Sequence, residues 1–390
     1  MPAPTVSFPS VRNSDFTREV KASVDGYFRE TGLARTGTRR TWLKVACMLT
    51  LFLGPYALIM GGVLTAPWMM WLACVVSGIG MAGVGFSVGH DALHGALSPS
   101  PRVNAFVGLS FELMGVSSTM WRTVHNVVHH TYTNVPGVDI DLEPSPFLRL
   151  SPHAPHKPWH RFQHWFAIPA YGLLSTVWIL TTDFVNLGGA RIAKWRGRNG
   201  SAAEWMRLLA TKGIYLAWAM VLPFVLLPLP WWQVLMGLAT VHVVGSVLLS
   251  VVFQLAHVVE GVEQLLPDET GTMEAPWMEH ELRTTSNFAP GNALLGWYVG
   301  GLNFQIEHHL FPRVCSAHYP ALSKLVQEAA ARHGLPYRVK PTFRSALASH
   351  LRTLKQLSRK PVDAAIAMIA PVAVNGTGAA ATPAIASSAS

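Results

Sequence analysis

Residues 45–90, VACMLTLFLGPYALIMGGVLTAPWMMWLACVVSGIGMAGVGFSVGH, contain no Lys, Arg, Asp or Glu. A membrane-spanning helix needs roughly 20 consecutive apolar residues, so this block is long enough for two. The tetrapeptide LTAP at 64–67 supplies a turn near the middle of the block. The stretch therefore predicts a hairpin of two transmembrane helices, near residues 45–64 and 68–89.

A second charge-free block covers residues 213–259 and has the turn sequence PLPWW at 228–232. It predicts another hairpin, with spans near 213–228 and 231–256. The whole chain is 50% hydrophobic and 13% charged, with a mean hydropathy of +0.28. An average soluble domain carries about 25% charged residues. We therefore expect an all-α integral membrane protein with four transmembrane helices in two hairpins, and a helical cap on one side.

The charge distribution predicts which side of the membrane the cap occupies. With these four spans, neither short outer loop contains Lys or Arg, so all 30 basic residues lie on one side. By the positive-inside rule that side is the cytoplasm, and a bacterial inner membrane is the expected location. A basic face suits anionic lipid headgroups and would also attract an acidic redox partner. Nucleic acid is not among the expected partners.

The two ends of the chain differ in composition from the membrane domain predicted at 41–360. Within residues 1–40, apolar residues recur every fourth position and predict an amphipathic helix on the membrane or on the protein's own cap. Those residues are Phe16, Val20, Val24 and Phe28. The N-terminus lacks the apolar core of a secretory signal. Residues 361–390 are rich in Ala, Ser, Thr and Pro, which predicts a disordered tail.

Two further stretches, 103–118 and 165–187, are apolar enough to be considered as additional spans. If either crossed the membrane alone, the histidines before and after it would face opposite compartments. If these histidines form one site, the stretches are interfacial or both of them cross, and interfacial is the simpler prediction.

Histidines concentrate in short clusters near the inner ends of the predicted spans. GHDALHG at 89–95 contains His90 and His94, four residues apart and so on one face of a helix. VHNVVHH at 124–130 repeats that spacing with His125 and His129, which could converge on one metal. His130 is rotated about 100° from His129 and could serve a second metal. The remaining candidates are His257, just past the fourth span, and Gln305, His308 and His309 in NFQIEHHLFP.

Eight histidines and one glutamine are too many ligands for a single ion. A single zinc takes about four ligands, so two ions are the economical number. Imidazole binds iron, zinc, copper and nickel, and the ligand type alone does not choose among them. Iron is the natural choice if the chemistry uses O2. We find no Ser/His/Asp or Cys/His pattern, so no catalytic residue beyond the metal centre is predicted.

The clusters HxxxH, HxxxHH and QxxHH, in this order around paired hairpins, resemble the three histidine boxes of the membrane fatty acid desaturases. The resemblance is closer to the front-end, linoleoyl-CoA-desaturase-like branch. It extends over residues 80–340 and includes GHDALHGALS, HNVVHHTYTNVPGVDIDLE, LRLSPHAPHKPWHRFQHW, AHVVEGVE, WMEHELRTTSNFA and GGLNFQIEHHLFP. The resemblance implies a di-iron centre, with Gln305 binding iron directly or through water, and the histidine ligands His90, His94, His125, His129, His130, His257, His308 and His309.

The resemblance also implies the reaction and its partners. The expected activity is O2-dependent insertion of a cis double bond into a fatty acyl chain linked to CoA or lipid, with O2 as co-substrate. Front-end relatives often carry a fused cytochrome b5 domain with an HPGG motif, which this sequence lacks. Electrons are therefore expected from a separate ferredoxin- or cytochrome b5-type carrier. Where some relatives place an Asn one turn before His257, this chain has Phe253.

Several residues beside the boxes are predicted to orient the ligands. We expect Asp91, Asp139, Asp141 and Glu307 to accept imidazole N–H bonds, with capping or Arg pairing as the alternative for the two residues of GVDID. His280 is a candidate of the same kind, or simply structural. His242 lies roughly 22 Å along the helix from His257, where a hydrogen bond between helices is the expected role. His153, His156, His160 and His164 are expected to contact headgroups or pack locally.

Other functions remain open at the level of sequence. A hydroxylase, epoxygenase or ketolase can be built on the same boxes, because the product depends on how the substrate lies. A metal transporter would need ligands along the spans, and a bis-histidine haem protein would need single histidines on facing spans. The clustered pairs favour a di-iron desaturase over both.

Overall fold

A computed structural model of the chain describes residues 6–10, 14–142, 147–189 and 200–359. Four helices in these ranges are long and apolar enough to cross a membrane, as the sequence predicted. They pack as two hairpins, and the second helix in chain order contacts both the first and the fourth. Their bounds are Arg39–Met60 (α2), Pro67–His94 (α3), Ala202–Leu226 (α9) and Trp231–His257 (α10).

The third span begins well before the predicted residue 213. The prediction stopped at Lys212 because a charged residue is costly inside a bilayer. In the structure the Lys212 ammonium is buried and donates to the Asp183 carboxylate at 2.6 Å and to the Gly115 carbonyl at 2.6 Å. The helix therefore continues through the lysine, because a protein carboxylate rather than lipid faces the charge. The fourth span, in contrast, lies within one residue of its prediction.

The stretch 165–187 forms a bent pair of helices, α7 and α8, rather than a helix flat on the surface. Pro158–Tyr171, which contains α7 (Gln163–Tyr171), and Leu174–Gly188 (α8) meet at an angle of 76°. At the bend, Ser175 contacts His242 and Ser246, which lie deep in α10. Gln163, at the start of α7, donates to the Leu354 carbonyl near the cap, and Gly188, at the end of α8, lies beside Trp205 near the inner start of α9. Both ends of the pair therefore lie on the cap side, which preserves the parity argument. His242 bonds across helices, as predicted, to the hydroxyls of Ser175 and Tyr215.

The stretch 103–118 forms two short helices, Pro101–Gly108 (α4) and Ser110–Leu113 (α5), neither long enough to span a membrane. Both pack against the inner part of α3. The Phe111 ring packs directly on Gly89 of α3. A Cβ at residue 89 would come within 2.4 Å of that ring, so a side chain there would prevent the contact. These helices are followed by Ser118–Trp121 (α6) and a π-helical turn at Arg122–His129.

The cap is built from the N-terminal helix and the segment after α10. Helix α1 (Asp15–Thr31) buries Phe16 and Val20 in a cluster with Met278, Ile306 and Val326 of the segment after α10. Two short parallel strands, Asn287–Phe288 (β1) and Val339–Lys340 (β2), tie the segment together. The remaining cap helices are Trp277–Thr284 (α11), Ala293–Tyr298 (α12), Gln305–Leu310 (α13), Tyr319–Arg332 (α14) and Phe343–Leu357 (α15). The tail predicted at 361–390 lies outside the described residues.

Candidate metal centre

Seven of the eight predicted histidine ligands form two compact groups at the end of the spans where the cap sits. In each group, one ring nitrogen per residue lies within 4.8 Å of the others, and every side chain is buried. The inner ends of α3 and α10 supply His90, His94 and His257, the π-turn supplies His125 and His129, and α13 supplies His308 and His309. The groups are His90, His94, His125 and His308 (group 1), and His129, His257 and His309 (group 2).

The eighth histidine, His130, lies between the two groups. Its Nε2 is 3.3 Å from Nε2 of His125, in group 1. Its ring also stacks on His309 of group 2, with the ring centroids 4.3 Å apart. His130 can therefore complete the ligand set of either group, and its shortest contact favours group 1.

The division of the second box differs from the prediction. His125 and His129 were expected to share a metal, but they belong to different groups. The segment is π-helical, and the His130 N–H donates to the His125 carbonyl at 3.0 Å, five residues back. This register places His125 and His130, rather than His125 and His129, one turn apart. Separate carboxylates then orient the rings: Asp141 lies 3.1 Å from Nδ1 of His125, and Asp139 lies 2.9 Å from Nδ1 of His129.

Gln305 extends group 2. Its side-chain amide nitrogen lies 3.1 Å from Nε2 of His257 and 3.4 Å from Nε2 of His309. A half-turn of the amide exchanges its nitrogen and oxygen, which brings a carbonyl oxygen to the same position. The Gln305 amide therefore occupies the position of a fourth ligand of group 2, or of a hydrogen-bond donor to such a ligand.

The carboxylates predicted beside the boxes divide into three kinds. Asp139 and Asp141 contact ligand rings, as described above, while Asp91 lies at the limit of hydrogen bonding, 3.5 Å from Nδ1 of His90. Glu307 does not contact a box imidazole among the described residues. Its oxygens instead accept from the Tyr337 hydroxyl at 2.7 Å and the Asn287 amide at 2.8 Å.

His280 supports the site indirectly. Its Nε2 donates to the Thr133 carbonyl at 2.8 Å, and the Thr133 hydroxyl lies 3.1 Å from Nδ1 of His309. His280 therefore fixes the backbone that carries a partner of a ligand, without contacting the ligand groups itself.

Sequence reasoning missed the carboxylate nearest to His309. Glu281 is fully buried and lies 2.8 Å from Nδ1 of that ring. Glu281 follows His280 directly in WMEHELRTT. An acidic residue beside a candidate histidine was the sequence signal that could have identified it. Tyr319, 3.3 Å from Nδ1 of His308, and Trp121, stacked 4.3 Å from His125, gave no such signal because a single aromatic residue near a histidine box is not a distinctive pattern.

Asn134 was also missed, and it joins three parts of the site. Its side-chain amide donates to the carbonyls of His257 and Thr284, each at 3.0 Å, and its backbone N–H donates to Asp139. Its φ of 58° lies in the left-handed region, which Asn tolerates better than most residues. The second box, the fourth span and α11 are thus connected through one side chain.

Comparison with known proteins agrees with the box pattern. The sequence profile of the fatty acid desaturase family matches residues 66–341. The sn-1 linoleoyl-lipid 6-desaturase of Synechocystis sp. is 33% identical over 346 residues, covering 88% of this chain and 96% of the relative. That of Arthrospira platensis is 33% identical over 351 residues, covering 90% and 95%. An acyl-lipid (8-3)-desaturase of Physcomitrium patens is 30% identical over 367 residues, covering 90% and 74%.

The chain belongs to the fatty acid desaturase family. It is therefore an oxidoreductase enzyme of fatty acid metabolism, and the relatives confirm the front-end branch that the sequence motifs indicated. The four apolar helices and the clustered histidines agree with a membrane enzyme of this family that holds metal.

The electrostatics of the desaturase site favour neutral imidazoles. Burial, reinforced by the neighbouring imidazoles, holds the pKa of His125, His130, His308 and His309 well below the ordinary value. A neutral ring keeps a lone pair available for a metal. His129 differs, because burial opposes its charge but the Asp139 carboxylate outweighs burial and raises the pKa. A metal ion at that ring would take the place of the proton and leave the carboxylate to balance the charge.

The ring nitrogens themselves test whether a metal fits. Nε2 of His94, His129 and His308 is buried and has no hydrogen-bond partner among the described residues. An unpaired buried polar atom costs free energy, yet these three atoms point into the two groups. The donor set is nitrogen-rich, with carboxylates behind the rings rather than among them. Such a site suits transition metals and does not suit Mg²⁺ or Ca²⁺, which prefer oxygen.

The other histidines stand apart from the two groups in the described part of the chain. His156 bonds to the Ser358 carbonyl at 2.9 Å, and His160 accepts from the Lys157 N–H at 3.1 Å. Both contacts are local packing interactions on the cap side of the α7–α8 pair, consistent with the predicted role of that cluster.

Proposed function

We propose that this desaturase inserts a cis double bond into a fatty acyl chain, between an existing double bond and the carboxyl end. The observation that carries the proposal is the pair of buried histidine groups, with His130 between them and Gln305 beside the second. Relatives over most of the chain's length are named linoleoyl-lipid 6-desaturases and acyl-lipid desaturases, which supports a lipid-linked acyl substrate. A CoA-linked chain is the other carrier that this chemistry allows.

We propose iron as the metal in both groups. His90, His94, His125 and His308, with His130, would hold one ion, and His129, His257 and His309, with Gln305, the other. Two ferrous ions would supply the activation of O2 needed to remove hydrogen from unactivated methylenes. The overall balance is one acyl –CH2–CH2–, O2, two electrons and two protons giving –CH=CH– and two waters.

The protein's own part is to orient the ligands and exclude water. Asp141, Asp139 and Glu281 hold the Nδ1 sides of three rings and so aim their Nε2 atoms into the groups. Phe253 packs its ring 5.1 Å from His129 and 4.9 Å from His257, on the side that faces the spans. An aromatic wall of this kind keeps water from the reacting methylenes and offers an apolar surface to the chain.

The two electrons are proposed to come from a separate carrier, a ferredoxin- or cytochrome b5-type protein. With the spans found here, the outer connections 61–66 and 227–230 contain no Lys or Arg. The positive-inside rule therefore supports a cap on the cytoplasmic side, in a bacterial inner membrane. The net charge of +9 would favour association with an acidic carrier.

Product analysis tests this function. The full chain is expressed in a bacterial host that is fed linoleic acid, and fatty acids are profiled by gas chromatography with mass spectrometry. A new trienoic product, with its added double bond on the carboxyl side, is expected. The His94→Ala variant serves as the control and should give none. No new double bond from several fed substrates, with protein and iron present, would overturn the proposal, as would an oxygenated product.

A further inference from the structure

The segment that leads into the third histidine box contains no charged residue. Between Arg283 and Glu307 there is no Lys, Arg, Asp or Glu. The segment is long enough for a span, but Pro290 and four glycines in its sequence argue against a continuous fifth membrane helix, and the structure divides it into β1 and the short helix α12. Its length without charge is nevertheless unusual for a cap that carries most of the protein's ionic residues.

Contacts with α3 place the middle of this segment at the depth of the spans. The Tyr298 hydroxyl donates to the Ile79 carbonyl at 2.8 Å, and its ring lies 5.9 Å from that of Phe86. Ile79 precedes His90 by eleven residues in α3, which corresponds to about 16 Å along a helix. The hydrocarbon core of a bilayer is about 30 Å thick. Tyr298 therefore reaches well into the membrane region from the level of the metal centre.

Both ends of the segment lie in the cap, so the chain descends and returns. On the way down, Asn287 pairs with Val339 in the two-stranded sheet. On the way back, Gly300 turns with a φ of 66° and presses against α3, where a Cβ would come within 2.6 Å of the Phe86 carbonyl. Only glycine combines this turn with so close an approach. The chain then enters α13 at Gln305.

The outer face of the descending part is apolar and uncovered. In residues 290–299, which we call the wedge loop, Leu294 is 76% exposed and Trp297 is 43% exposed. Large apolar side chains at this depth continue the lipid-facing surface of the spans. Water at that position would make the exposure costly, whereas acyl tails make it favourable.

The inner face of the wedge loop leads to group 2. Leu295 packs against the same buried apolar cluster as Leu249 and Phe253 of α10. Phe253 in turn contacts the rings of His129 and His257. The shared cluster and Phe253 therefore connect the wedge loop to group 2.

We propose that the wedge loop inserts into the membrane leaflet on the cap side and admits the acyl tail of a membrane lipid sideways, past Phe253, to group 2. The inference rests on the proposed function and extends it by assigning the substrate's entrance and its carrier. The carrier is a bilayer lipid, because a tail that enters at this depth leaves its headgroup at the interface.

Insertion is tested without reference to activity. In a background lacking Cys47, Cys74 and Cys315, a nitroxide label is placed by Leu294→Cys in the full chain reconstituted in phosphatidylglycerol-containing vesicles. Val225→Cys, on the lipid-facing surface of α9, and Glu328→Cys, on exposed α14, are the lipid and water references. The Leu294 label should collide with O2 more than with a water-soluble nickel chelate, like the Val225 label. Behaviour like the Glu328 label would overturn the proposal.

Substrate entry is tested by Leu294→Asn, with Val225→Asn as the matched control. The first should slow desaturation of lipid-linked chains about tenfold, since a polar side chain at this depth disfavours insertion. Iron content and melting temperature should remain those of the unsubstituted protein. The control should retain its rate. An unchanged rate in Leu294→Asn would overturn the entrance. If the unsubstituted protein made no double bond while the label was lipid-exposed, insertion would stand and the proposed function would fail.

Discussion

At the residue scale, the grouping of the ligands depends on what holds the far side of each imidazole. His125 and His129 are four residues apart, yet Asp141 and Asp139 orient them into different groups. Glu281 does the same for His309. These carboxylates support metal binding, because the hydrogen bond to Nδ1 fixes both the orientation of the ring and its tautomer.

The Glu281→Gln variant tests this role. The neutral amide orients His309 more weakly, so iron binding at group 2 should weaken by about 10- to 100-fold. Iron titration of the metal-free protein should then resolve one tight and one weakened site. Glu307→Gln is the matched control, because Glu307 contacts Tyr337 and Asn287 rather than a ligand. Two tight sites in Glu281→Gln would contradict the assignment.

Asn134 gives a second residue-scale prediction. The Asn134→Gly variant keeps the left-handed backbone but removes the bonds to the carbonyls of His257 and Thr284. Two buried carbonyls then lose a partner, which costs about 1–3 kcal/mol each. The melting temperature in detergent should fall, and saturating iron should recover part of the loss because the metal binds the folded state. A melting temperature equal to that of the unsubstituted protein would contradict this role.

The sequence predicted which histidines lie together but not how they divide into two groups. Histidine spacing reports on residue type and approximate face, whereas the π-turn at Arg122–His129 depends on hydrogen bonding that spacing does not specify. Glu281 was missed because its partner, His309, is 28 residues away and their contact exists only after folding. Glu307 was misassigned because adjacency in sequence was taken for contact.

At the element scale, polar contacts rather than hydropathy decide where helices enter the membrane region. The α7–α8 pair turns back at Ser175, which bonds to His242 and Ser246 of α10. Farther along α8, Asp183 pairs with Lys212 of α9. Hydropathy predicted the apolar parts of the long spans well because residues 45–90 and 213–259 contain no Lys, Arg, Asp or Glu. It failed at Lys212 because the compensating carboxylate comes from another helix.

Double-mutant analysis of Asp183 and Lys212 tests this element. Both side chains are buried, at 0% and 7% exposure. Lys212→Met alone should destabilise by about 3–5 kcal/mol, because it leaves a buried carboxylate without its cation. Combining it with Asp183→Leu should recover most of that loss. Thermal unfolding in detergent provides the measurement, and additive effects of the two substitutions would contradict the pairing.

At the scale of the whole molecule, the inner ends of the spans meet the cap at the two histidine groups. Helices α3 and α10 supply His90, His94 and His257 at their inner ends, the π-turn supplies His125 and His129, and the cap supplies His308 and His309. The paired charge-free blocks predicted that the histidine clusters lie on one side of the membrane, since each hairpin must begin and end on the same side. The two inserted elements, the α7–α8 pair and the wedge loop, could not be predicted from composition because their depth depends on contacts with α3 and α10.

The central claim is that the two histidine groups each hold one iron. Elemental analysis of the purified full chain by inductively coupled plasma mass spectrometry tests it most directly, with His94→Ala and His257→Ala for comparison. About two irons per chain are expected for the unsubstituted protein, as two groups of this ligand type imply. About one iron is expected for each variant. A single ion per chain, zinc in place of iron, or two irons retained in both variants would contradict the account.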